Sequence, residues 1–347
     1  MKRVILDTDV GTDVDDALAI ALAAASPELH LEGLTTVHAD APLRARIARA
    51  LLALAGRAEV PVIAGASRPL SPAFPEVFHW HPTLWGHEGR GLLSGDDLLP
   101  TAAVNAAASG DAAAPTEDAA ARFIVERAWA EPGTLSLIAI GPLTNVARAL
   151  QLEPRLADWL LDITLMGGMV EADGVPWPPV LETNLNADPR AAEVVFGSGV
   201  PLTIVPFEVT TRVFLTPAQR ALMRSWRAPL ASALVALMEQ MLHGFADFSA
   251  TMSLPVDIFE GDPSYMHDPV AVYAAMATQH VRLRRRHVAL EVRDRVLRTT
   301  AYPDRQPNMQ VCEAVDAPAF VAFWLERVAS LAADGGEHQR TARSRAG

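Results

Sequence analysis

Cysteine and lysine are nearly absent: Cys312 and Lys2 are the only ones in 347 residues. A lone thiol cannot build a disulfide framework or a thiolate metal cluster within one chain, so the composition points to a reducing cytoplasm. Positive charge is scarce as well. Lys and Arg number 29 against 41 acids, a formal net charge of −12, which repels nucleic-acid backbones and anionic membranes and favours a small ligand or a cation as partner. No apolar run approaches the length of a membrane span. The apolar start is interrupted by Asp7 and Asp9 before a signal-peptide core forms, and no internal repeat is present.

What the chain does have is apolar content: 50% of it is hydrophobic, enough for a substantial core. Short apolar runs alternate with helical patterns. This predicts an α/β fold with a mostly parallel central sheet flanked by helices, a Rossmann-like open sheet. Strands are expected over 4–6, 29–37, 60–64, 135–140, 163–166 and 202–209. Helices are expected over 15–25 and 43–55, from Glu117, after Pro142, from Asp188 and across 216–248. Asp188 and Pro189 read as an N-cap and a first helical residue. Residues 67–115, rich in Pro, Gly, His and Trp and then in Ala and Ser, break the rhythm and read as a long loop or lid. A second loop is expected over 169–187. The expected organisation is one domain over 1–333 and a polar, disordered tail over 334–347.

Chemistry concentrates in DTDVGTDVDDALAI, between the first strand and its helix, where Asp7, Asp9, Asp13, Asp15 and Asp16 fall within ten residues. In open α/β sheets, ligands bind at the carboxyl ends of the strands, where this loop lies. So many carboxylates repel one another unless a cation or hydrogen bonds offset the charge. One acid alone would be explained as helix capping, Asp15 and Asp16 being favourable in a first turn. The whole cluster calls for a hard divalent metal. Calcium suits it, because it accepts oxygen ligands in irregular, high coordination.

Further segments extend the pattern: TTVHAD (35–40), IGPLTNVA (140–147), LMGG (165–168), ETNLNADPRAA (182–192) and HDPVAV (267–272). In order and spacing they resemble the inosine-uridine preferring nucleoside hydrolases, along nearly the whole chain. The resemblance implies the nucleoside hydrolase fold and a cytoplasmic enzyme, a homodimer or homotetramer. That enzyme would cleave a small-molecule ribonucleoside at its N-glycosidic bond to ribose and free base, in purine and pyrimidine salvage. It implies calcium (Ca2+) held by the side chains of Asp9, Asp16 and Asp268 and the main-chain carbonyl of Thr144. It also implies ribose hydroxyls held by Asp15, Glu182, Asn184 and Asp268. Asp40 stands where the family has asparagine, so the sugar or the catalytic water would meet a carboxylate that only accepts hydrogen bonds.

The implied reaction passes through a ribosyl cation, which acids around the sugar stabilise while water arrives from the opposite face. Calcium acidifies a bound water less than zinc does, so a carboxylate base is needed, and Asp9 is the candidate. The leaving base needs a proton, for which His267, beside Asp268, is the candidate acid. The fingerprint is longer than the commonest family form, which leaves Asp13 without a role, and Glu208 replaces an aspartate. Trp85 and Gly86 stand where the family has His-Gly, so His87, which could cover the site from its loop, is not counted among the substrate contacts. Trp177 fits either stacking on a base or packing against the lid. Phe207 and Met166, at strand ends, fit either the core or a pocket wall.

Two other classes start from the same acids. A magnesium-dependent haloacid dehalogenase-type phosphohydrolase also opens on a strand and DxDx, yet it matches only residues 7–10 and needs a lysine other than Lys2. A non-catalytic calcium- or ribose-binding protein would use the acids without turnover.

Overall fold

Residues 1–11, 13–71, 116–171, 182–252, 263–293 and 296–344 are described by the computed structural model of the chain. The elements begin β1 (Lys2–Thr8), α1 (Asp15–Ala25), β2 (Leu29–Thr36), α2 (Ala41–Leu54) and β3 (Val62–Ala64). After 72–115 come α3 (Ala119–Ala130), β4 (Leu135–Ala139), α4 (Thr144–Leu152), α5 (Leu156–Trp159), β5 (Leu160–Met166) and β6 (Val170–Glu171). Next are α6 (Thr183–Ala187), α7 (Pro189–Phe196), β7 (Leu202–Val205), α8 (Phe207–Thr210), β8 (Phe214–Leu215), α9 (Pro217–Ser225) and α10 (Pro229–Met252). The remainder comprises β9 (Ser264–Tyr265), α11 (His267–Met276), β10 (Val281–Arg286), β11 (Val288–Arg293), β12 (Val296–Ala301), β13 (Met309–Val315) and α12 (Ala317–Ser344).

Eight strands form one sheet in the order β10-β13-β7-β5-β4-β1-β2-β3. Only the pairing of β10 with β13 is antiparallel. A strand buried on both faces must be apolar throughout, which is why β1 reads as Val-Ile-Leu rather than as an alternation. Val4 and Leu6 face the core shared by α1, α2, α11 and α12, while Ile5 faces the one built on α3, α4 and α7. Helix α1 is buried along its whole length, between the sheet and its helical neighbours. Trp324 of α12, itself buried, donates its indole N–H to the Leu18 carbonyl at 3.1 Å and pins the last helix to the first.

Two expectations are corrected. The strand expected over 202–209 stops at Val205, because Pro206 offers no N–H to a ladder and the chain turns into α8. The helical segments expected across 216–248 are two helices, as expected, separated at Arg227, which has φ of 53°, and Pro229. The loop expected over 169–187 contains β6 and the short α6, whose N-terminus Glu182 caps. Helix α12 closes the described chain and runs to Ser344.

Candidate active site

From β1 the chain builds outward to β2 and β3, then returns to place β4 on the other side of β1. The crevice above the β1 and β4 ends is therefore the point where strand order reverses, the place where such sheets bind ligands. Asp9 leaves β1 there. Gly141 leaves β4, and a Cβ on it would lie 2.6 Å from Asp9 Oδ1, so glycine is what lets the Asp9 carboxylate occupy this exit. Asp15 and Asp16 lie in the first turn of α1, and Asp268 lies in the first turn of α11, which packs beside it. One oxygen from each of these three buried residues falls within 4.8 Å of the others. Two helix N-termini thus face a shared set of negative charges, an arrangement that favours anions.

Hydrogen bonds fix the cluster. Thr8 donates its hydroxyl to Asp16 Oδ1, and the Asp9 amide reaches the same oxygen at 3.2 Å. Asp13 accepts from the Val14 amide at 2.6 Å and shares a side-chain hydrogen bond with Asp15. Burial pushes the carboxyls of Asp15, Asp16 and Asp268 well above the usual range, and their mutual repulsion raises them further. Asp13 is raised to about 6, chiefly by burial. Four acids crowded in this way stay partly protonated unless a cation neutralises them. The donors are carboxylate oxygens with no thiolate or imidazole among them, the set that a hard ion such as calcium takes.

The other predicted residues sit on several elements. Glu182 is buried, and its carboxylate accepts from the Asn184 amide at 2.6 Å and the Leu185 amide at 3.0 Å; burial raises it to about 7. Asn184 donates its Nδ2 to the carbonyls ending β4 and β5, Ile140 at 2.9 Å and Met166 at 3.1 Å. It is thereby held at the same edge of the sheet. Thr144 opens α4 and donates its hydroxyl to Asp188 at 2.7 Å. His267 is sandwiched by the rings of Phe207, 5.0 Å away, and Tyr265, 5.3 Å away. Its Nδ1 lies 2.7 Å from the Thr210 hydroxyl, and burial lowers it to about 4. Phe207 is thus a wall for His267, and Met166 is a buried core residue. Asp40 differs from the rest: it is exposed, and its carboxylate caps α2 through the Leu43 amide at 3.0 Å. Glu208, raised to about 7 by burial, accepts from the Val170 amide at 3.2 Å. Trp85, His87 and Trp177 lie outside the described residues.

The family model for inosine-uridine preferring nucleoside hydrolases matches residues 4–322. The chain belongs to that family. Members are hydrolases acting on N-ribosyl compounds. A probable uridine nucleosidase 2 from Arabidopsis thaliana is 30% identical over 94% of this chain and 97% of its own length. An inosine-uridine preferring nucleoside hydrolase from Leishmania major is 34% identical over 62% of this chain and 64% of its own. Among solved structures, a purine-preferring ribonucleoside hydrolase from Gardnerella vaginalis superposes with a TM-score of 0.74 at 26% identity, covering 95% and 99% of the two chains. The phosphohydrolase alternative falls with the family match. Lys2, at the opposite end of β1, is bound to Asp162 at 2.9 Å and to the Ala275 carbonyl at 3.1 Å.

Sequence reasoning missed several supports of this nucleoside hydrolase site. Asp188, read only as a helix cap, also accepts from Thr144 and from the Leu70 amide at 2.7 Å. Thr210 sets the ring of His267. Asp7, noted in the sequence among the clustered acids, has partners the sequence did not show: near the end of β1 it accepts from Thr35 at 2.6 Å and Asn145 at 2.8 Å, and burial raises it to about 7. Arg44 is buried under the cluster. Its one legible signal was its place on the apolar stripe of α2, in line with Ala48 and Leu51.

Proposed function

We propose that the chain hydrolyses the N-glycosidic bond of ribonucleosides with calcium as its cofactor. The observation that carries this reading is the convergence of Asp15, Asp16 and Asp268 from two helix N-termini, within 4.8 Å, at the switch point of a parallel sheet. Asp9, Asp16 and Asp268, with the Thr144 carbonyl, would hold the ion. When bound, calcium offsets the repulsion among these carboxylates and lowers the pKa of neighbouring water. Asp9 takes the proton of the attacking water. Asp15, Asp268, Glu182 and Asn184 bind the ribose hydroxyls, and the negative charge around the sugar stabilises the ribosyl cation as the bond to the base lengthens. Asn184 suits this role because its amide nitrogen is committed to the Ile140 and Met166 carbonyls, which leaves the amide oxygen as the end to meet a hydroxyl.

His267 protonates the departing base. With its pKa lowered to about 4 by burial, the imidazole is neutral at pH 7 before substrate binds. The acid role therefore requires the developing negative charge of the leaving base to raise it in the complex. Stacking by Phe207 and Tyr265 and the Thr210 contact hold the ring in one orientation, which supports this role.

Inosine, uridine, cytidine and adenosine, each incubated with the protein and calcium, test the reading when free base and ribose are separated by chromatography. Cleavage of at least one is expected, together with its loss in a chelator. No cleavage of any of the four would overturn the reading.

A further inference from the structure

Arg44 of α2 is completely buried. Removing a guanidinium from water costs several kcal/mol unless fixed acceptors replace its hydration. Its acceptors include main-chain carbonyls of two separate loops. Nε donates to His38 at 2.9 Å, in the turn after β2, while Nη1 donates to Asp9 and, at 3.2 Å, to Val10, in the loop after β1. The turn that supplies His38 is itself unusual: His38 and Ala39 have φ of 75° and 50°, a region that side-chain-bearing residues seldom adopt. The His38 amide is anchored to the Ala66 carbonyl at 2.7 Å, so the turn is held from both sides. Such strain persists only where its surroundings over-determine it, and it gathers at functional sites. The charge of Arg44 also opposes the repulsion that Asp16 feels from its acidic neighbours.

We infer that Arg44 is a positioning residue for the metal centre: its fork ties the Asp9–Val10 main chain to the strained turn after β2, and so sets the direction of the Asp9 carboxylate before a cation arrives. The inference rests on the calcium reading above. Its distinguishing element is the fork. An ammonium at the same place keeps the charge but cannot bridge both loops with fixed, planar donors.

Arg44→Lys in the full chain tests it. Terbium luminescence, competed with calcium, gives the affinity, and its lifetimes in H2O and D2O count the waters on the bound ion. In a folded Arg44→Lys protein the calcium Kd should rise about tenfold or more, the size typical when a group orienting a metal ligand is lost. The bound ion should gain a water as Asp9 turns away, and kcat should fall more than KM changes. Wild-type affinity and water count in the folded variant would overturn the inference. Should the variant be unfolded without metal, a calcium titration followed by circular dichroism decides. Refolding at a raised midpoint supports a role toward the metal, and no refolding at saturating calcium assigns Arg44 to the fold alone and overturns it. If the wild-type chain binds neither terbium nor calcium, the metal reading falls and takes this inference with it; if it binds both and the variant matches it, only the inference falls.

Discussion

Asp9 and His267 carry the chemistry at the scale of single residues. Asp9→Asn keeps the shape of the side chain and removes its capacity to accept a proton. Turnover of the best nucleoside should drop by about two to four orders of magnitude, the range for loss of a general base, with the melting temperature little changed. Steady-state rates equal to wild type would remove Asp9 from the base role. His267→Ala should slow natural nucleosides strongly and p-nitrophenyl riboside, whose leaving group needs no proton, far less; equal losses on both would remove the acid role. The acids of the cluster were legible in the sequence because like charges packed into one loop demand an explanation. Arg44, and the reach of Asp188 beyond the helix it was seen to cap, were not. Their partners include main-chain groups of segments distant in sequence, and no residue type advertises a carbonyl or an amide. Asp40 shows the reverse: a family position drew attention to it, while its carboxylate is occupied with the first turn of α2.

Elements set how much room these residues have, and the exits of β1 and β4 show it. A methyl at Gly141 would stand 2.6 Å from Asp9 Oδ1 and 3.0 Å from Val37 Cγ1. Asp9 is the part able to move. Gly141→Ala is therefore expected to lower kcat by about a hundredfold, as small misplacements of catalytic groups do, while thermal denaturation shows a loss of only a few degrees. Undiminished kcat would show that the Asp9 position seen here is not the working one. Most elements were readable from apolar periodicity, α1 from Asp15 to Ala25 at both ends. The failures have local causes: Pro206 ended a strand that hydrophobicity alone would have continued, and the two-residue β6 carries too little pattern to be seen. The small sheet of β11, β12 and β6 depends on pairing across more than a hundred residues, which no local window contains.

For the whole molecule, the balance of buried titratable groups sets how stability responds to pH. Burial raises Asp7, Glu182 and Glu208 to about 7. A carboxyl raised on folding contributes stability below its unfolded value near 4, and that contribution is lost as pH climbs through the folded value. His267 and His38 are lowered to about 4 and about 3, so their contribution is complete above about 6.5 and is lost as pH falls through those values. Of these groups, the raised carboxyls dominate the change above pH 6.5. Metal-free protein should therefore lose several degrees of melting temperature between pH 6.5 and 8, at roughly 2–4 °C per kcal/mol for a large domain. Calcium should flatten the curve by neutralising the cluster. A metal-free melting temperature that holds level or rises over that interval in a scanning fluorimeter would contradict the burial of these acids.

Helix α1 is made early and covered late. Every one of its residues is buried, yet the helices that cover it, α11 and α12, lie at the other end of the chain. From Ala25 to Trp324 there are about 300 residues, roughly 15 to 60 s of ribosomal synthesis at ~5–20 residues per second. Throughout that interval a helix of alanine, leucine and isoleucine is without its final neighbours, in competition between capture by chaperones and self-association. Asp13, Asp15 and Asp16 at its head act then as gatekeepers, since charge flanking an apolar segment opposes aggregation. The same carboxylates that crowd the finished centre keep the nascent segment in solution until the last helices arrive.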